Sequence, residues 1–163
     1  MKSVLISIQP KWCELIASGK KTIEVRKTRP KIETLFKCYI CTKYKTFSNY
    51  KIIGEFICDR IDTVNVIDTG IITCTIINGK LTEHLSKEAC IIIDDLEKYL
   101  NGNRGYAYHI SDLVIYDEPK ELSRFRHCGD NYHFNPMLSR PPQSWCYVEE
   151  LKRENKNQEE QRT

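Results

Sequence analysis

The chain lacks the short glycine-rich and nucleophile motifs that identify several large enzyme classes. It contains seven glycines in 163 residues. None of them belongs to a phosphate-cradling loop, a dinucleotide-binding fingerprint or a G-x-S-x-G nucleophile elbow. Long hydrophobic runs are missing as well, since no apolar stretch approaches the ~20 residues that a membrane helix requires. The sequence therefore argues against a P-loop nucleotidase, a dinucleotide-dependent enzyme, an α/β-hydrolase and a membrane-spanning helix.

The N-terminal segment lacks the features of a secretory signal peptide. The apolar run in MKSVLISIQPKW ends at Pro10 after too few residues, and no small-residue cleavage site follows it. We therefore expect a cytoplasmic protein. In that compartment its eight cysteines are expected to be reduced thiols rather than disulfides.

A strong excess of charge of one sign is also absent. The formal net charge is +3, and 29% of the residues are charged. This mild basicity permits an anionic partner, but a strong nucleic-acid footprint would be more lopsided, and nothing indicates DNA. A hydrophobic fraction of 40% is sufficient for the core of one domain. We assign this domain to residues 1–151. The segment 152–163 has no apolar residue and is predicted to be a disordered tail.

The cysteines form no clear metal-binding pattern. Cys38 and Cys41 make up a single C-x-x-C within a β-rich run, where a spacing of three directs the side chains to opposite faces. Cys128, near His127 and His133, is the remaining group that would complete a zinc site. Small buried hydrophobic side chains are the alternative, and they fit the pattern better. We therefore predict no metal and no cofactor.

Alternating and helical spacings in the first half of the chain predict four strands and one short helix. The helix is expected over 10–18, because Pro10 is tolerated in a first turn and Gly19 is a typical C-terminal stop. Gly54, inside the last of these strands, predicts a bulge or a sharp bend. The predicted strands lie at 3–9, 20–27, 34–42 and 50–64.

The second half is less regular. GIITCTIING has high β propensity and ends in an Asn-Gly turn. Two short helices are expected after it, separated by a break at 91–93. The remaining β-like runs lie at 105–110, 113–117 and 144–151. Strands outnumber helices and do not alternate with them regularly, which favours a mixed α/β (α+β) fold over a doubly wound sheet. We expect a small β-barrel with peripheral short helices.

The stretch SGKKTIEVRK carries the strongest candidate for chemistry. In a strand, Glu24 and Arg26 lie on one face, while Ile23 and Val25 face the core. Together with Lys21 they supply two cationic donors and one acceptor, a set suited to phosphate, a carbonyl edge or proton transfer. The alternative is a solvated strand face with cross-strand ion pairs.

Other candidates come from separate segments. Glu55 lies within an apolar strand and is either a cleft carboxylate or an outward charge at the bulge. Trp145 and Arg140 flank a proline-fixed turn. Trp145 would stack on a base or pack in the core, and Arg140 would contact phosphate. His109 is more typical of a satisfied strand histidine than of a site. Trp12 has the helical spacing of a core residue, although a helix lining a cleft would expose its edge.

The order of these elements resembles a known family. Gly19, Lys21, Glu24 and Arg26 match G-x-K-x-x-E-x-R, the signature of the ASCH domain family in the PUA-like superfamily. The flanking strand and helix, the segments KCYICTK and IIGEFICDRI, and the closing RPPQSWCYVEEL are similar to longer bacterial and prophage members. The resemblance covers roughly residues 3 to 151. It implies a barrel with a cleft beside the motif helix and strand.

The resemblance also implies what that cleft does. Family members are thought to bind RNA or nucleotides there, so Lys21 and Arg26 would contact phosphate or carbonyl oxygens and Glu24 would accept from a base. One branch hydrolyses the acetyl amide of N(4)-acetylcytidine with a Lys, a Thr and a Glu, and another member is described as a ribonuclease. Here Lys21 matches the Lys, Glu24 stands at the Thr position and Glu88 corresponds loosely to the Glu. A third alternative is a groove that binds a protein partner.

Overall fold

The structure is a computed structural model, and it describes residues 2–45, 49–68, 73–82, 84–128 and 136–152. Nearly all of the predicted tail, 153–163, lies outside the described residues, as does His133 of the hypothetical zinc group. The domain boundary at residue 151 therefore stays a prediction.

The described residues contain eight strands, three α-helices and one 3-10 turn. No helix among them is long and apolar enough to cross a membrane. In chain order the elements are β1 (Lys2–Ser7), α1 (Pro10–Ala17), β2 (Ile23–Arg26), β3 (Phe36–Lys43), β4 (Tyr50–Asp68), β5 (Thr73–Ile77), β6 (Lys80–Thr82), α2 (His84–Ala89), α3 (Ile93–Leu100), β7 (Gly105–Glu121), the 3-10 turn Leu122–Arg124 and β8 (Trp145–Glu149).

One mixed sheet organises the molecule. Its strand order is β2-β7-β4-β3-β1-β8, and the β5–β6 hairpin extends from β4. β1 and β3 are parallel, and the other pairs are antiparallel. The α+β prediction is therefore confirmed. The described pairings form an open path that ends at β2 and β8, so the expected closure into a barrel is not confirmed. Arg26 of β2 nevertheless donates to the backbone carbonyl of Ser7 at the end of β1.

The unit formed by α1 and β2 confirms the predicted strand–helix–strand opening. Pro10 occupies the first helical turn. Gly19 has a φ of +74°, a left-handed conformation that only glycine adopts readily. Its N–H donates to Ile16 O, and the N–H of Lys20 donates to Leu15 O, the paired hydrogen bonds of a Schellman ending. This tight stop places Lys21 directly beside the start of β2.

The long strands β4 and β7 are bent by bulges. The β4–β7 register shifts at three places, one of them between Ile52 and Gly54. A Cβ at Gly54 would lie 2.4 Å from the backbone oxygen of Val114, so the predicted bend requires glycine there. The two β-like runs predicted at 105–110 and 113–117 are one continuous strand, β7, because the break between them is a residue with positive φ, Asp112, rather than a strand end.

The core confirms the predicted inward face of β2. Ile23 and Val25 are buried in a cluster to which the helices also contribute. The helical members of that cluster are Leu85, Ala89, Leu96 and Leu100. Cys38 and Cys41 belong to two different clusters, as the strand spacing predicts.

A candidate ligand-binding cleft

A cleft of about 910 Å³ opens beside α1 and β2. Its walls are the end of β1, the first turn of α1, the outward residues of β2, the facing ends of β3 and β4, and the segment 141–143 before β8. The side chain of Ser7 helps to hold that last wall, since its hydroxyl donates to Pro142 O over 2.6 Å.

The three motif residues form one buried network at this cleft. Lys21 Nζ lies 3.2 Å from Glu24 Oε2, and Arg26 Nη2 lies 3.1 Å from Glu24 Oε1. The side chains of Lys21 and Glu24 are 5% and 6% exposed, and that of Arg26 is 14% exposed. The alternative of a solvated strand face is therefore wrong. The structure brings Lys21, Glu24 and Arg26 together in the cleft.

Backbone carbonyls hold both cations of this network. Lys21 Nζ donates to Ala89 O over 2.5 Å, at the C-terminal end of α2. A helix C-terminus carries partial negative charge, which favours an ammonium group at this place. Arg26 Nη2 donates to Ser7 O. Each cation therefore contacts one backbone carbonyl oxygen, from Ala89 or Ser7, and one carboxylate oxygen of Glu24.

The contacts leave specific hydrogen-bonding capacity for a ligand. Lys21 has three N–H donors, of which the Glu24 and Ala89 contacts use two. Arg26 Nε is buried and has no hydrogen-bond partner among the described residues, and the contacts of its side chain run through Nη2. Each oxygen of Glu24 still has lone-pair capacity beyond its one contact. The network can therefore donate to phosphate or carbonyl oxygens and accept from an amino group.

Aromatic and basic side chains surround the network. Trp12 lines the cleft, and Lys21 Nζ lies 5.1 Å from the centroid of its ring. Trp12 is half-buried and packs against the core, as its helical spacing predicts, and it also exposes one surface to the cleft. Tyr50 and Tyr99 also line the cleft. The charged lining residues are Lys11, Lys21, Glu24, Arg26 and Lys43, which gives an excess of positive charge.

Cys41 lines the cleft, although the sequence analysis weighed it only as a metal ligand and as a buried hydrophobic residue. Burial raises the pKa of its thiol to about 12. Because the thiolate is the nucleophile, a protonated Cys41 is inert at neutral pH. Burial likewise raises the pKa of Cys13 to about 11. Neither thiol is a candidate for nucleophilic catalysis.

The structure does not bring Glu55 or Glu88 to this cleft. Glu55 lies 2.9 Å from Lys37 Nζ and accepts from the Tyr116 hydroxyl, in a second, smaller pocket. The side chain of Glu88 is exposed on α2, and only its backbone oxygen reaches the motif segment, by accepting from Thr22 N over 2.9 Å.

Arg140 and Trp145 lie beside the cleft wall rather than in it. Arg140 is exposed and precedes the lining residue Pro141. Trp145 is half-buried and packs against the core, and its indole N–H donates to Thr28 Oγ1 over 3.0 Å. This arrangement agrees with the packing alternative for Trp145.

His109 is a satisfied strand histidine, as the sequence favoured. Its Nε2 lies 2.7 Å from Asp62 Oδ2, on a part of the sheet that does not line the cleft. Among the residues that the structure describes, no group of three or more histidine, cysteine or acidic side chains has the geometry to hold a metal ion.

Comparisons with known proteins agree with this architecture. The family model named ASCH domain matches residues 6–121. The crystal structure of ASCH from Zymomonas mobilis superposes with a TM-score of 0.59 at 21% identity, covering 90% of this chain and 87% of that one. A tyrosine-to-phenylalanine mutant of this protein, ZmASCH, superposes with a TM-score of 0.59 at 21% identity, with 91% of each chain covered.

A serine-to-alanine mutant of ZmASCH gives a TM-score of 0.60 at 20% identity, covering 90% of this chain and 88% of that one. At these identities the structures show a shared fold. No curated protein matches the sequence significantly. The family match spans well over half of the chain, and it includes the whole motif strand and the cleft residues of α1. The chain belongs to the ASCH domain family.

Proposed function

We propose that the cleft binds RNA, through a nucleotide of a single-stranded segment. The observation that carries this proposal is the buried Lys21–Glu24–Arg26 network at the floor of a cleft lined by aromatic rings. Membership in the ASCH family supports RNA as the ligand class. The bases of single-stranded RNA are unstacked and able to pack on aromatic side chains, whereas those of a duplex are not.

The lining residues have distinct roles in this proposal. Lys21 and Arg26 donate to phosphate or carbonyl oxygens. Glu24 already accepts from both cations, so its remaining lone pairs accept from the amino group of a base. Trp12 supplies a stacking surface. Lys11 and Lys43 lie among the lining residues, where their charge attracts the backbone.

Fluorescence anisotropy with a labelled single-stranded RNA tests this function. Lys21→Ala is expected to weaken binding about tenfold or more, because charge-assisted hydrogen bonds are worth about 1.5–3 kcal/mol. Lys80→Ala is the matched control, since Lys80 is an exposed lysine on β6 that does not line the cleft. Binding by the wild type should weaken steeply with salt. Equal affinities of the two variants would contradict the proposal.

Hydrolysis is the second candidate, and the Lys21–Glu24 contact of 3.2 Å is the observation that favours it. A buried amine and carboxylate in contact can pass a proton between a water molecule and a leaving group. Glu24 would accept the proton of water as it attacks an acyl carbon, and Lys21 would donate to the leaving nitrogen. Since Glu88 does not line the cleft, this chemistry would rest on Lys21 and Glu24.

Product analysis separates hydrolysis from binding. The protein is incubated with N(4)-acetylcytidine and with mixed RNA, and the products are separated by chromatography. Turnover that Lys21→Ala abolishes and Lys80→Ala preserves would support the enzyme. Binding of RNA without any product supports the binding module. If the protein neither forms products nor binds RNA, but does form a stable complex with another protein, the groove for a protein partner is favoured.

A further inference from the structure

A second pocket with a different composition lies around Glu55. Its volume is about 120 Å³, several times the ~30 Å³ that a water molecule occupies in the liquid. We call it the second basic pocket. Its lining residues are Lys37, Glu55, Tyr116, Lys120, Arg124, Leu151 and Lys152.

Three separate segments bring cations to the second basic pocket. Lys37 comes from β3, Lys120 and Arg124 from the end of β7 and the 3-10 turn that directly follows it, and Lys152 from the residues after β8. The backbone before Lys152 is fixed, because Leu151 N donates to the Tyr39 hydroxyl over 3.0 Å. Convergence of three segments on one small volume distinguishes this group from lysines scattered over a surface.

The floor of the pocket holds these charges in place. Tyr116 donates to Glu55, and Lys120 Nζ lies 4.8 Å from the centroid of the Tyr116 ring. Lys37 Nζ lies 2.9 Å from Glu55 and 3.3 Å from Glu150. One cation, Lys37, therefore serves both carboxylates, and Lys120, Arg124 and Lys152 bring three further positive charges to the pocket.

The pKa of Glu55 reflects the cations and hydrogen-bond donors around it. Burial acts to raise its pKa, but hydrogen bonds from Tyr116 and Lys37 and the charges of Lys37 and Lys120 outweigh it, so the pKa lies below its ordinary value. Of the cations around the pocket, Lys37 and Lys120 are thus close enough to stabilise a negative charge there. An added anion would be stabilised by the same cations.

We propose that the second basic pocket binds a phosphate group, at a place separate from the cleft. Arginine and lysine are the side chains that proteins use for phosphate, arginine through paired donors and lysine as a point charge. The phosphate belongs either to a small phosphorylated compound or to the backbone of an RNA that extends beyond the cleft.

Titration calorimetry with inorganic phosphate at constant ionic strength tests the site. Arg124→Ala is the first variant, because Arg124 is exposed and its truncation leaves the core intact. Its affinity for phosphate should fall about tenfold, with a larger loss in Lys120→Ala/Arg124→Ala. Lys80→Ala should bind phosphate like the wild type. Glu55→Gln should bind more tightly, whereas Glu118→Gln, an exposed change on β7, should not.

Two further measurements complete the test. If Arg124→Ala loses affinity for both RNA and inorganic phosphate, the ligand is a backbone phosphate of RNA. If it loses affinity for inorganic phosphate alone, the ligand is a small phosphorylated compound. In Lys21→Ala that circular dichroism shows to be folded, Arg124→Ala should cause the same loss of phosphate affinity as in the wild type, so failure of the cleft proposal is distinguishable from failure here. The proposal is overturned if the wild type binds no phosphate, or if Arg124→Ala and the double variant bind it as the wild type does.

Discussion

Lys21 Nζ lies 3.2 Å from Glu24 Oε2, and the two side chains are 5% and 6% exposed. The strand pattern alone left a solvated face open for Glu24, whereas in the structure Glu24 and Lys21 form a buried ion pair. Buried charges are retained only when they are paired and hydrogen-bonded, and Arg26 and two backbone carbonyls complete that requirement here. The arrangement has direct consequences for stability and for binding.

Glu24→Gln should destabilise the protein strongly. The substitution leaves the cations of Lys21 and Arg26 buried without their anion, and breaking a buried pair in this way costs about 3–5 kcal/mol. Urea unfolding followed by circular dichroism measures the loss. Glu118→Gln, an exposed change on β7, is the control and should stay within about 0.5 kcal/mol of the wild type. A loss under about 1 kcal/mol for Glu24→Gln would show that the network is not integral to the fold.

Trp12 should report ligand binding by fluorescence. The chain has two tryptophans, and of these only Trp12 lines the cleft. In Trp145→Phe, the remaining tryptophan fluorescence comes from Trp12, and it should be quenched when RNA binds. Trp12→Ala should lose the quenching and weaken binding by about 1–3 kcal/mol, the range for stacking of one base on an aromatic side chain. Quenching that persists in Trp12→Ala would place the ligand elsewhere.

The opening of the chain could be predicted from the sequence because its signals are local. Pro10 and Gly19 delimit α1 through backbone constraints that act within one turn. The alternation of Ile23 and Val25 with Glu24 and Arg26 then fixes the faces of β2. These are properties of adjacent residues, and tertiary packing does not override them.

The position of Glu55 could not be predicted in this way, and the sequence left open whether Trp12 faces a cleft. The face of β4 on which Glu55 lies is set by register shifts against β3 and β7, and a shift of one residue exchanges the faces of a strand. The surface of Trp12 that faces the cleft is set by walls from other parts of the chain, such as 141–143. Closure of the sheet likewise depends on long-range pairing, and the pattern of strands does not determine it.

Gly54→Ala should be more damaging than a substitution at another glycine. The added Cβ would lie 2.4 Å from Val114 O and 3.1 Å from a side-chain carbon of Ile115, so β4 or β7 must move. Overpacking of this kind typically costs about 1–3 kcal/mol. Gly79→Ala is the comparison, since its Cβ meets nothing within 4 Å and only the positive φ of +80° opposes it, at about 1 kcal/mol. Equal urea midpoints for the two variants would contradict the close approach of β4 and β7.

The stability that Asp62 contributes should disappear in acid. Burial acts to raise the pKa of Asp62, but hydrogen bonds from Asn78 and His109 and the charge of Arg60 outweigh it, so the pKa lies below its ordinary value. A depressed native pKa contributes stability above the unfolded pKa of about 4, which is lost as the pH falls through the native value. The difference in urea midpoint between wild type and Asp62→Asn should therefore shrink from pH 7 to pH 3. A difference independent of pH would contradict this assignment.

Photocrosslinking tests the central claim most directly, because it reports where RNA contacts the protein. A single-stranded RNA containing 4-thiouridine is irradiated with the protein, and the crosslinked residues are identified by mass spectrometry. The account predicts crosslinks at Trp12, Tyr50 or Tyr99, which line the cleft, and their loss in Lys21→Ala but not in Lys80→Ala. Crosslinks confined to aromatic residues outside the cleft, such as Trp145 or Tyr116, would contradict it.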